Sequence, residues 1–227
     1  MSFNVVSKID NEIRIKNVLI STSNKEGLDD FVKSLIEINP SIKIYSTGGT
    51  YAFIKNLLNE KSLTNLVAVS SYTKQPEMQG GLVKTLDYKI YLGILSETYN
   101  ESHQDDIKRL EAISFDMVVV NLYPFKETIK KESITLENAR ANIDIGGPCM
   151  CRASAKNFIR VASVCDPSDY KSIINELKNN DGKLCFETRF NLAKKSFAHT
   201  ADYDAAISNY LNTIDYSKAC LPYEFAK

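Results

Sequence analysis

Met117-Val118-Val119-Val120 is an unbroken apolar run closed on one side by Asp116 and on the other by Asn121. A strand with one wet face alternates apolar and polar residues. A run without alternation is apolar on both faces and needs cover above and below. Such a strand belongs inside a parallel sheet clad by helices, and the rest of the chain supplies the parts. Val18-Leu19-Ile20, Ile42 to Tyr45, Leu66 to Val69 and Val161 to Val164 read as further strands. Helical periodicity falls on Gly27 to Ile38, on the residues from Thr50 to Leu58, on Asp106 to Ile113, on Glu137 to Asn142, on Pro148 to Phe158 and after Asp166-Pro167. Met78 to Gly93 reads as a glycine-bearing connection, and Glu187 to Leu211 as one long helix without a strand partner. The expected fold is α/β: an open parallel sheet with helices on both faces, plus a helical C-terminal extension. One domain is expected over residues 1–227, with its core at about 16–180 and the extension at about 187–212.

Composition narrows the function classes. Lys+Arg and Asp+Glu balance at 28 each, so no basic field points to nucleic acid. No run approaches the roughly 18 apolar residues of a membrane span, and the first ten residues hold no signal-peptide core. The expected location is the cytoplasm. The five cysteines (149, 151, 165, 185, 220) are odd in number and unevenly spaced, which predicts reduced thiols, no disulfide and no metal.

Chemistry concentrates at four places. Asn142-Ile143-Asp144-Ile145-Gly146-Gly147-Pro148 sets a carboxylate before a Gly-Gly turn that feeds a helix, with Pro148 suited to the first helical position. Lys156 follows in that helix among small residues, with Arg152 one turn earlier, where a fixed guanidinium would lower the lysine pKa. Asp144 and Lys156 read either as an acid–base pair or as a salt bridge pinning the turn. Ser46-Thr47-Gly48-Gly49-Thr50, at a strand-to-helix turn, reads either as a tight turn or as a phosphate cradle of free N–H groups and hydroxyls. Ser23 and Lys25, after the first strand, offer similar chemistry. Lys84 and Thr85 stand beside Gly80-Gly81, as an oxyanion contact or a solvated surface pair. Asn121 and Tyr123 leave the central strand, where the tyrosine either relays a proton or plugs the sheet. His103 and His199 have no nucleophile pattern around them and read as surface or core residues.

Together these segments resemble the inosine monophosphate cyclohydrolase domain, the N-terminal half of a bifunctional purine-biosynthesis enzyme that also carries a formyltransferase. The resemblance rests on Leu19 to Leu28, Ser46 to Thr50, Val83 to Leu86, Asn121 to Phe125, Asn142 to Pro148, Ala153 to Asn157 and Phe197 to Ile207. It implies a methylglyoxal-synthase-like fold and closure of the purine ring of formylaminoimidazole carboxamide ribonucleotide, with loss of water and no cofactor. By resemblance Lys84, Tyr123, Asp144 and Lys156 are catalytic. Ser23, Lys25, Ser46, Thr47, Gly48, Gly49, Thr50, Thr85, Asn121, Ile145, Gly146 and Arg152 would hold the substrate. A homodimer and a separate formyltransferase partner are also implied.

The chain leaves the family pattern at Leu82, where an arginine is usual, at Asp87-Tyr88 in place of His-Pro, and at Tyr91-Leu92 in place of glycine. Losing that arginine would remove a substrate-facing cation, and Asp87 would add an opposite charge nearby, so either Lys74, Lys89 or Arg152 substitutes or binding is weaker. Two rivals share the fold: a methylglyoxal-synthase-type phosphate lyase, which needs an aspartate–histidine set, and a non-catalytic nucleotide-sensing module.

Overall fold

The computed structural model describes residues 5–75 and 85–226. In chain order, β1 (Glu12–Arg14) and β2 (Asn17–Thr22) lead to α1 (Leu28–Ile38), β3 (Lys43–Ser46) to α2 (Gly48–Leu57), and β4 (Leu66–Ala68) to α3 (Val69–Thr73). Two helices, α4 (Tyr88–Leu95) and α5 (Glu101–Arg109), precede β5 (Met117–Asn121). Then come α6 (Phe125–Thr128), α7 (Leu136–Ala141) and α8 (Gly146–Lys156), followed by β6 (Ala162–Val164) and α9 (Tyr170–Asn179). The chain finishes with β7 (Lys183–Cys185), α10 (Phe186–Asn212) and α11 (Tyr216–Cys220).

The main sheet has the order β4-β3-β2-β5-β6, and every neighbouring pair is parallel. Its two faces divide the strand residues with period two. Val18, Ile20, Met117 and Val119 pack with Leu28, Phe31, Val32 and Leu35 of α1 and with Tyr170, Ile173 and Leu177 of α9. Leu19, Val118 and Val120 pack with Ile90 and Ile94 of α4, Met150 and Cys151 of α8, and Tyr203 of α10. The double-sided burial of the Met117 run is the reason for its missing alternation.

The structure corrects several sequence expectations. The segment expected as a connection up to Gly93 contains α4. Asp87 caps α4, its Oδ1 accepting the Lys89 N–H at 2.7 Å. The helix expected at Asp106 to Ile113 runs instead from Glu101 to Arg109. β1 and β7 form an unexpected antiparallel pair outside the main sheet. The last long helix is no correction: α10 packs along the sheet, against β6 and α8. Pro148 is the third residue of α8, because the helix begins at Gly146.

Two buried arginines tie the amino-terminal edge. Arg160 donates to the carbonyls of Ser96 (2.9 Å), Phe115 (2.8 Å) and Gly93 (2.6 Å), joining the end of α4 to the approach of β5. It also faces Asp116 at 3.7 Å, whose Oδ2 accepts the N–H groups of Lys16 and Asn17 at 2.9 Å each. Arg189, fully buried in α10, donates to the carbonyls of Leu184 (2.7 Å), Asp10 (2.7 Å) and Asn11 (3.2 Å). Each guanidinium spends its donors on backbone oxygens, which keeps the buried charge hydrogen-bonded.

Candidate active site

The chain runs from β2 outward through β3 to β4, then crosses to β5 and outward to β6. The direction therefore reverses between β2 and β5. In an open parallel sheet the crevice at the carboxyl ends of those two strands is the place where a ligand fits. A cleft of about 380 Å³ opens there. Its walls come from the turn after β2 (Ser21, Thr22, Ser23, Lys25), the start of α2 (Thr47 to Thr50), the exit of β5 (Asn121, Tyr123) and the start of α8 (Asp144 to Gly147), with Thr85 beside them.

Each wall has its own anchor. Asn121 uses its whole side chain on the turn after β2. Its Oδ1 accepts the N–H groups of Ser23 (2.7 Å) and Asn24 (2.9 Å), and its Nδ2 donates to the Asn24 carbonyl at 2.7 Å. The Thr50 hydroxyl donates to the Thr22 carbonyl at 3.0 Å and accepts the Thr22 N–H at 3.1 Å. The Ser46 hydroxyl donates to the Ile20 carbonyl at 2.7 Å and is fully buried. These three side chains are spent on shaping the walls. That corrects the expectation of three ligand hydroxyls at Ser46 to Thr50: Ser46 does not line the cleft at all, and the Thr47 hydroxyl makes no cap bond to its helix. The remaining anion donors there are the unpaired first-turn N–H groups of α2. Gly49 has open space where a β-carbon would stand, and Gly48 has a φ of 50°. Lys25 folds back so that its Nζ lies 3.4 Å from the Ser23 carbonyl.

Asp144 sits at the head of α8. Its Oδ1 accepts the Gly147 N–H at 2.9 Å, and the Tyr123 amide also donates to it. Burial pushes its carboxyl above the usual carboxylate range, and those two amides only partly offset the shift. The Asp144 N–H donates to the hydroxyl of Tyr203 on α10 at 2.8 Å. Tyr123, 55 % exposed, stands at the rim, as does exposed Ile145.

Lys156 is not where the sequence expectation put it. It is the last residue of α8, exposed, and outside the cleft. Ten residues of helix separate it from Gly146, about 15 Å along the axis, so one chain forms neither an acid–base pair nor a salt bridge with Asp144. Arg152 is exposed too, and its guanidinium lies 5.7 Å from the Phe197 ring centroid instead of facing the cleft. It therefore brings no charge into the cleft of its own chain. Lys74 and Lys89 do not line the cleft either; Lys89 lies 5.9 Å from the Tyr72 ring centroid. Asp87, expected as an opposing charge near the ligand, is buried as the cap of α4. Lys84 and Leu82 lie outside the described residues. Thr85 does meet the cleft, its hydroxyl crowding Gly146.

Residues that sequence reasoning passed over as cleft residues are Ile143 and Leu86, which line the walls, and Tyr203, which holds Asp144 from behind. The only sequence signal for Tyr203 was its place in the Phe197 to Ile207 segment. Among the described residues no group of three or more His, Cys, Asp or Glu is placed to hold a metal ion. No helix among them is long and apolar enough to cross a membrane.

The fold and cleft define an α/β protein of the open parallel class with a ligand crevice at its topological switch point. Family comparison is consistent with this geometry: the MGS-like domain model matches residues 27–149, and the AICARFT/IMPCHase bienzyme model matches residues 154–226. The chain belongs to the MGS-like domain family. It is 51% identical over 196 residues to the bifunctional purine biosynthesis protein PurH of Thermoanaerobacter sp. (strain X514), covering 86% of this chain and 37% of that protein. It is 45% identical over 197 residues to the PurH of Ruminiclostridium cellulolyticum, covering 87% of this chain and 37% of that one. It thus spans little more than a third of the curated relatives it matches. The crystal structure of ForH superposes with a TM-score of 0.76 at 26% identity, over 87% of this chain and 97% of ForH.

Proposed function

We propose that this chain takes part in purine biosynthesis as an inosine monophosphate cyclohydrolase, closing the six-membered ring of formylaminoimidazole carboxamide ribonucleotide. The carrying observation is Asp144: a carboxyl raised by burial, at a helix start, facing a cleft whose opposite walls present free backbone amides for a phosphate. The PurH relatives support the same reading.

In this reading the carboxamide nitrogen attacks the formyl carbon and forms the new C–N bond. One proton leaves that nitrogen, and the formyl oxygen gains one to become a hydroxyl. The hydroxyl then departs with the proton of the former formamido nitrogen, as one water, and the ring C=N bond forms. Both reacting groups belong to one molecule, so holding them in contact supplies much of the rate. Asp144 takes and returns the proton, a task suited to a carboxyl moved toward neutrality. Tyr123 serves the departing oxygen from the rim, and Lys84 steadies its charge. Lys156 enters this scheme only from a second copy of the chain, since its own Asp144 is a helix length away. The homodimer and a cytoplasmic setting belong to the same proposal. The phosphate-lyase alternative is disfavoured because neither His103 nor His199 lines the cleft.

The test incubates purified protein with the formylated ribonucleotide and follows inosine monophosphate by absorbance. Acceleration above the spontaneous rate, sharply reduced though still measurable in Asp144→Asn, is expected. An unaccelerated rate overturns the reading.

A further inference from the structure

Tyr203 lies far from the cleft in sequence, yet its hydroxyl is the acceptor for the Asp144 main-chain N–H at 2.8 Å. The side chain is 7% exposed, and its ring meets Phe125 edge-on with centroids 6.2 Å apart. Phe125 opens α6, two residues after Tyr123, and the Phe125 N–H donates to the Tyr123 carbonyl at 2.8 Å. Tyr210, two turns further along α10, meets the same Phe125 ring at 5.9 Å. Lys126 of α6 also binds Asp202, the residue before Tyr203, with its Nζ 2.6 Å from each carboxylate oxygen. One short stretch of α10 thus grips both cleft loops, one bearing Tyr123 and the other Asp144.

We propose that Tyr203 is a positioning residue for Asp144, and that α10 is part of the catalytic apparatus through it. The inference rests on the cyclohydrolase reading for its kinetic half. Only one atom on α10, the Tyr203 oxygen, meets the Asp144 main-chain N–H. Without it the N–H is left in a mostly buried place with no partner, and the residue must shift to find water. The carboxyl is held between the Gly147 amide of its own turn and the Tyr123 amide of the segment after β5, so a shift of the Asp144 backbone carries it out of line.

The deciding variant is Tyr203→Phe, which keeps the ring against Phe125 and removes only the oxygen. Ring closure should slow about tenfold in kcat, with KM within about twofold. In an Asp144→Asn background the same change should cost nothing further, because its effect passes through that carboxyl. Tyr216→Phe, at an exposed tyrosine on α11, should leave kcat unchanged. Hydrogen exchange at the Asp144 amide should quicken in Tyr203→Phe while the β5 amides stay protected. That readout needs no turnover, so a protein that fails to close the ring sinks the functional reading while exchange still decides the role of Tyr203. Unchanged kcat with unchanged Asp144 exchange overturns the proposal. So does an equal loss of kcat in both backgrounds, which would mark a general packing role.

Discussion

Asp144 and Gly147 fit one another so closely that the glycine has no room for a side chain while the carboxylate is in place. Oδ1 of the carboxylate accepts the Gly147 N–H at 2.9 Å, while Oδ2 occupies the space a β-carbon on Gly147 would need. A methyl group there would also press on Leu122. The glycine is therefore required by the carboxylate, not by its own backbone angle.

Gly147→Ala is expected to displace the carboxyl and strain the start of α8. Ring closure should fall on the order of 100-fold, as for a misplacement of about 1 Å. Urea unfolding should register a loss of about 1–3 kcal/mol. Gly49→Ala is the contrast, since open space surrounds its β-carbon. Its folding stability should hold while KM rises.

Asp144 also predicts a pH dependence. Its folded pKa is raised by burial, so between the ordinary carboxylate pKa and the folded value the native state binds more protons than the unfolded one. Stability then falls as pH rises through that window. Asp144→Asn keeps an oxygen for the Gly147 amide and removes the buried charge. The variant should be more stable than wild type at neutral pH, with the difference vanishing below the ordinary carboxylate pKa. Urea midpoints measured across that range check the sign; a difference that grows on acidification contradicts it.

Asn121→Ala should release the turn after β2. Two amides and one carbonyl lose their partner at once. The expected cost is about 1–3 kcal/mol, together with weaker binding of inosine monophosphate by calorimetry. Asn121→Asp, which keeps the acceptor and loses the donor to Asn24, should fall between.

At the start of α9, Lys195 binds Asp166 at 2.7 Å and Asp169 at 2.8 Å. The hydrogen bond from Lys195 holds the Asp166 carboxyl down at about 2. Lys195→Met should move that carboxyl up toward the ordinary range, with the Ser168 N–H still favouring its charged form, read from its carbon-13 shift on titration. The stabilisation lost in this variant is present above the ordinary carboxylate pKa and disappears as pH falls toward 2. The two proteins should therefore converge in acid.

The sheet was legible in the sequence because burial on both faces leaves a mark that residue type alone records, as in Val118 to Val120. The glycine turns were legible for the same reason. What was not legible depended on direction. Ser46 and Thr50 look like ligand hydroxyls in a string of letters, and only the fold reveals that both point at backbone. Lys156 looks close to Asp144 by its number, yet a helix converts twelve positions into distance. α4 was missed because Tyr88 to Leu95 is rich in aromatic and β-branched residues and contains Gly93. That glycine is needed where the helix crosses the Ile113 carbonyl, in a space that a β-carbon would occupy. Asp87 read as a misplaced charge, although it begins that helix.

α10 runs for 27 residues, roughly 40 Å at the usual helical rise. Arg189 near one end fastens β7 and the segment before β1, and Tyr203 further along holds Asp144 from behind the cleft. A rod clamped at both ends does not fray piecemeal. Amides from Arg189 to Tyr203 should exchange together with those of β5, in a single cooperative opening. The cleft and the far edge of the sheet would then melt as one unit, with no partly opened state that spares either.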